Sequence, residues 1–145
     1  MVQKCINLAG HHVDIMFHVL CQLGYAISLD SAARGMGLAG KKGGMTGAQI
    51  PRLWLDGRRE EVLEYVPHDV RITLELAQTC ESRGYIRWIT RSGRRRELLL
   101  PKGWLPVSSA ARLPEPNTLW MRSQWSRKRF TAWLRFDGRS RPFCR

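Results

Sequence analysis

The hydrophobic period of this chain changes at Gly84, and that change constrains the fold more than any other feature. Upstream, Val70, Leu74, Ala77 and Cys80 recur at helical spacing until Gly84, a residue that accepts the left-handed backbone of a helix C-cap. Downstream, Tyr85 to Thr90 and Arg95 to Leu100 flank Arg91-Ser92-Gly93-Arg94 and read as a β-hairpin with a Gly-containing turn, ended by Pro101. A helix feeding directly into a hairpin predicts a mixed α/β chain.

Charge divides at the same place. From Met1 to Gly84, nine Lys and Arg residues face nine Asp and Glu residues; from Tyr85 onward, fifteen basic residues face only Glu97, Glu115 and Asp137. The whole net charge of +12 therefore lies in the second part. Two regions are expected, 1–84 and 85–145, the second drawn to a polyanion. The length of 145 residues and 43% hydrophobic content allow one ordinary domain with a core, and six Trp exclude a disordered chain. Cys5, Cys21, Cys80 and Cys144 form no CxxC pair, so neither a zinc site nor a disulfide framework is indicated. Free thiols in a reducing, cytoplasmic compartment are the simplest expectation. The apolar run near Ile15 is interrupted by Asp14 and His18, and neither a signal peptide nor a membrane span is expected.

In chain order, Val2 to Ala9 has modest strand character. Ile15, Met16, Val19, Leu20 and Leu23 then predict a helix closed by Gly24, with Asp14 at its start, where the local sequence favours a cap. Tyr25 to Leu29 suits a short strand, and Asp30 or Ser31 can cap a brief helix over Ala32 to Met36. Thr46 to Leu55 reads as a helix, with Pro51 an obstacle if it falls beyond the first turn. Arg58 to Tyr65 reads as another, after which Pro67 imposes a kink or starts a fresh helix; the second is expected. An irregular connector over 104–116, with a short helix at Ser108 to Leu113, leads to a tail in which Trp120, Trp125, Phe130, Trp133 and Phe136 interleave with arginines and lysines.

Within the helical region, Tyr65-Val66-Pro67-His68-Asp69 places a phenol and a carboxylate one turn apart on one helix face. A buried phenol beside a solvated acid is the bland alternative, and His68 is expected to be exposed. Gly35 to Gly44 matches the GxxxxGK of a phosphate-binding loop, but Lys42 stands where a magnesium-binding hydroxyl belongs; a flexible basic loop near a phosphate backbone fits better. His11, Asp14 and His18 fall at i, i+3 and i+7, although turn and core histidines are commoner than ligands at such positions. The tail has three open readings: base stacking with phosphate pairing, aromatic anchors folded back on the domain, and an anionic-membrane surface.

The ordered series Asn7-Leu8-Ala9-Gly10-His11-His12-Val13-Asp14, Ser28-Leu29-Asp30, Gly37-Leu38-Ala39-Gly40-Lys41, Gly57 to Tyr65 and Asp69-Val70 resembles one family. It is similar to the ribonuclease H-like 3'-5' exonucleases with four acidic residues and a tyrosine, the type related to family B DNA polymerase proofreading domains, over roughly Asn7 to Ala77. Tyr65 and Asp69 match that family's third motif, Tyr-x-x-x-Asp, and Asp14 matches the acid closing its second. The resemblance implies two divalent metals, Mg2+ or Mn2+, about 3.5 to 4 Å apart on a phosphodiester, with several carboxylates to hold them. It makes Asp14 and Asp69 metal ligands and has Tyr65 orient the attacking water. Nucleic acid is the implied partner, DNA by the family's example, with the choice between DNA and RNA left open by the sequence.

This chain departs from the family in specific ways. The first motif, an Asp-x-Glu on the opening strand, is absent, the second has Val13 where an aromatic residue is usual, and three opening strands are missing. The expected architecture is the mainly helical later part of a ribonuclease H-like fold, N-terminally truncated, with few strands, a C-terminal hairpin and an irregular basic arm. Exonuclease activity is not expected of the polypeptide alone, because ligands acting as a unit fail together. Uncovered apolar faces would favour self-association or a partner supplying the missing strands. The candidate nucleic-acid contacts are Asn7, Lys41, Lys42, Arg94, Arg95, Arg96, Trp125, Arg127, Lys128 and Arg129. A non-catalytic nucleic-acid-binding remnant is the alternative function.

Overall fold

The computed structural model describes residues 10–40 and 47–131. The strand expected over Val2 to Ala9, with Asn7 in it, and Lys41, Lys42, Trp133 and Phe136 lie outside these residues. The described chain is mostly helical, with one two-stranded antiparallel sheet. It divides into two compact units, Met1–Ile27 with Trp104–Arg145, and Ser28–Gly103. The boundary at Gly84 marks the change of charge; the packing units are a different partition.

In the first unit, α1 (Ile15–Leu23) starts at Asp14 and ends at Gly24, whose φ of 78° only glycine adopts freely. Its buried side packs Phe17, Leu20 and Cys21 against Val107 and Ala110, with Leu105, Leu113 and Phe130 around them. Val107 and Ala110 belong to the single turn α5 (Val107–Ala110), shorter than the Ser108 to Leu113 expected. The backbone N–H groups of Val107 and Ser108 donate to the carbonyls of His12 and Gly10, each at 3.0 Å, tying the segment before α1 to this turn. The tail is not wholly irregular: α6 (Arg127–Thr131) forms, and Phe130 meets Phe17 at 6.4 Å.

In the second unit, α2 (Leu29–Gly35) is capped by the Ser28 hydroxyl, which accepts the Ser31 N–H at 3.1 Å. This overturns the strand expected over Tyr25 to Leu29 and the cap assigned to Asp30 or Ser31. Ser28 draws Leu29 into the helix, and 25–27 is left as a non-helical connector. A 3-10 turn (Gly47–Gln49) precedes α3 (Ile50–Leu55), which places Pro51 in the first turn, where its missing N–H has no helical partner to lose.

Then α4 (Arg59–Arg83) runs unbroken through Pro67, correcting the expectation of a fresh helix there. No Ser, Thr, Asp or Asn stands between Leu63 and Val66 to cap a new start. The carbonyl deprived of its partner is that of Leu63, an exposed position, so water can serve it. A single buried stripe, Val62, Ile72, Leu76 and Cys80, spans both sides of the proline and rewards continuity.

Gly84 caps α4 with φ 73°, and the chain enters β1 (Tyr85–Ile89), paired to β2 (Arg95–Leu99) in the register Arg87 to Glu97 and Trp88 to Arg96. The hairpin is where the change of period placed it. Ile86 and Trp88 are buried on its inner face, and β1 packs on α2, where the Ser31 hydroxyl donates to the Ile89 carbonyl and Gly35 lets the two backbones approach.

Candidate functional site

Tyr65 and Asp69 stand one turn apart on α4, on the side that carries Val62, Ile72, Leu76 and Cys80, and both are half-buried. Their shared face is thus the packed side of the helix rather than the solvent side. The Thr73 hydroxyl donates to the Asp69 carbonyl at 2.7 Å, using the backbone of this turn. His68, expected to be exposed, is instead half-buried, with its Nε2 buried and lacking a hydrogen-bond partner among the described residues. The outer side of α4 presents Leu63, Val66, Val70 and Leu74 to solvent at spacings of three and four, an apolar stripe left uncovered.

Asp14 is the N-cap of α1. Its Oδ1 accepts the Phe17 N–H at 2.9 Å, satisfying a donor that the helix cannot. Asp14 falls in the first unit, and Tyr65 and Asp69 in the second. Among the described residues, no group of three or more His, Cys, Asp or Glu could hold a metal ion. A two-metal phosphodiester clamp needs several converging carboxylates, and the donor set described here does not fit one.

The histidines separate by environment. His11 and His12 are exposed, whereas His18 is only 1% exposed. The Leu105 N–H donates to His18 Nδ1 at 3.2 Å, Nε2 lies 3.0 Å from the Gln22 carboxamide, and the Trp104 ring meets the imidazole edge-on at 5.5 Å. A ring whose Nδ1 accepts an N–H carries no proton on that nitrogen and is not an imidazolium, which makes it a core histidine rather than a ligand. Desolvation holds its pKa below the usual 6.5. The unfolded chain therefore takes up a proton that the fold refuses, and stability is expected to fall as pH drops below about 6.5, by at most about 1.4 kcal/mol per pH unit. Urea unfolding at stepped pH should show this slope in the native chain and lose it in His18→Gln; an equal slope in both would refute it. Burial also raises the Cys21 thiol and pushes that of Cys80 up to about 11, so neither is a thiolate nucleophile near neutrality.

The basic candidates also divide. Arg94, Arg95 and Arg96 are exposed at the far end of the hairpin, as is Arg91, which the sequence placed only in the turn. Lys128 and Arg129 are exposed on α6. Arg127 turns inward: one terminal nitrogen donates to the Leu113 carbonyl and to that of Ala111 at 3.3 Å, the other to Cys21 at 2.5 Å and Pro114 at 2.7 Å. Trp125 stacks on Phe130 at 5.5 Å with 18° between the planes, beside a cleft of about 420 Å³ also lined by Gln124, Arg127 and Lys128. No helix among the described residues is long and apolar enough to cross a membrane.

Residues 7–80 match a family model described as a predicted 3'-5' exonuclease related to the exonuclease domain of PolB. No curated protein and no solved structure matches the chain.

Proposed function

The chain belongs to the predicted 3'-5' exonucleases related to the exonuclease domain of PolB, and from that premise we propose that it is a nucleic-acid-directed, exonuclease-like domain whose catalytic set is incomplete in this polypeptide. The observation that carries the proposal is the pairing of Tyr65 with Asp69 on one face of α4, inside the matched segment and in the Tyr-x-x-x-Asp pattern of the four-acid, tyrosine-bearing type. In that type, Asp14 and Asp69 would be the surviving carboxylates of a Mg2+ or Mn2+ site on a ribonuclease H-like fold.

The incompleteness is chemical. These 145 residues contain no Asp-x-Glu, and Asp14 already serves as a helix cap. Two divalent ions cannot be held in concert without the missing carboxylates, so hydrolysis requires an acidic pair from elsewhere in a longer chain or from a second polypeptide. The uncovered stripe of Leu63, Val66, Val70 and Leu74 supports a missing layer on α4. Buried, unpaired Cys21 and Cys80 support a reducing, cytoplasmic setting.

With end-labelled DNA, single-stranded or 3'-recessed, and Mg2+ or Mn2+, the chain alone is expected to release no nucleotide above a no-protein control. Metal-dependent release abolished by Asp69→Ala and by Tyr65→Phe would overturn the proposed incompleteness. The second reading, a non-catalytic nucleic-acid-binding protein, is favoured by the confinement of the +12 charge to 85–145. It predicts that supplying the missing acidic pair restores nothing.

A further inference from the structure

The hairpin lies beyond the segment that matches the exonuclease family, which ends at residue 80. We propose that its tip is a rigid arginine finger that holds the phosphodiester backbone of a nucleic acid, through Arg91, Arg94, Arg95 and Arg96. The proposal rests on the nucleic-acid-directed function above and adds the surface that makes the contact.

The charge at the tip is available. All four arginines are exposed, and among the described residues none is in an ion pair. The one acid on the hairpin, Glu97, is taken by Arg87, whose terminal nitrogen and Nε lie 2.5 and 3.1 Å from Glu97 Oε2. Arg87 is itself seated 4.8 Å from the centre of the Tyr85 ring. The acid is thus neutralised along the strands, and exposed positive charge gathers at the end.

The tip is also held in shape. Thr90 donates its N–H to the Arg94 carbonyl at 2.8 Å, and its hydroxyl accepts the Arg94 N–H at 3.0 Å. Gly93 takes φ 77°, closing the turn without strain. Buried Ile86 and Trp88 fix the strands to the body of the unit. A preorganised finger loses little conformational entropy on binding.

Its chemistry selects the partner. Strand alternation puts Arg96 on the face of Trp88, its cross-strand partner, and Arg95 on the opposite face with Glu97 and Leu99, so cations stand on both faces of a narrow two-stranded ribbon. Such a ribbon fits a nucleic-acid major groove, and guanidinium groups pair phosphates bidentately. Residues 91–96 are Arg, Ser, Gly, Arg, Arg and Arg, so the tip lacks the apolar side chains that would anchor it in a lipid surface.

Fluorescence anisotropy of the whole chain with one labelled oligonucleotide, single-stranded and duplex, measured across salt concentrations, tests the finger. Replacing all four arginines by serine is expected to lower the slope of log affinity against log salt by about 3, at about 0.7 to 0.9 per lost phosphate contact. Glu97→Gln, which frees Arg87, should tighten binding, and Arg112→Ser, on the other unit, should change the slope by at most one contact. Unchanged affinity and slope in the four-arginine variant, with its hairpin shown folded by hydrogen exchange, would overturn the finger while leaving the proposed function standing. No binding by the native chain would count against both. Binding to anionic vesicles that exceeds oligonucleotide binding and is lost in the same variant would also overturn the finger.

Discussion

Replacing Gly35 by alanine is expected to destabilise the Ser28–Gly103 unit by about 3 kcal/mol or more, at the upper end of overpacking effects. A Cβ added there would lie 2.3 Å from the Arg87 carbonyl oxygen, 2.6 Å from its carbonyl carbon and 2.5 Å from the Trp88 Cα. All three are backbone atoms of β1. That strand is paired to β2 on one edge and accepts the Ser31 hydroxyl at Ile89, so it cannot retreat without breaking hydrogen bonds. Gly37→Ala is the control. It has φ 77° but nothing within 4 Å, so its substitution should cost only the left-handed backbone penalty of about 1 to 2 kcal/mol. Urea unfolding, with hydrogen exchange across Tyr85 to Leu99, measures both. Equal costs at the two glycines would show that the α2 to β1 contact is looser than the distances indicate.

Arg127→Ala is expected to destabilise the other unit by about 2 to 4 kcal/mol, since a charged donor shared among several carbonyls leaves each of them short of a partner when it is removed. Its guanidinium joins the carbonyl of Cys21 on α1 to those of Ala111, Leu113 and Pro114 after α5. Lysine should rescue only part of the loss, because an ammonium is a point donor and cannot span the four carbonyls as a planar fork does. Thermal unfolding of native, Arg127→Lys and Arg127→Ala chains should rank in that order. A stable Arg127→Ala chain with weakened oligonucleotide binding would instead make Arg127 a phosphate contact, as its place in a basic, aromatic tail first suggested.

Local signals fared differently from long-range ones, and particular residues show why. Gly24 and Gly84 end their helices, Asp14 begins one, and Tyr85 to Leu100 forms the hairpin, because caps, turns and hydrophobic period are set by neighbours in the chain. Pro67 carries a local penalty that favours a break, but the buried stripe from Val62 to Cys80, which no neighbour of the proline reveals, favours one helix through it. Arg127 and Lys128 are adjacent and chemically alike; one is turned into the carbonyls around it and the other is exposed, a difference no composition carries.

What the sequence determined by itself is the helix ends at Gly24 and Gly84, the hairpin that follows, the confinement of positive charge to the second part, and the one-turn spacing of the Tyr65 and Asp69 pair. Only the tertiary structure decided that this pair faces the packed side of α4, that Asp14 spends an oxygen on the Phe17 N–H, that His18 is a buried, neutral imidazole, and that the hairpin's one acid is occupied by Arg87. The physical reason is that period and capping depend on residues a few positions apart. The state of a carboxylate, an imidazole or a guanidinium depends on which atoms the fold brings within about 3 Å of it.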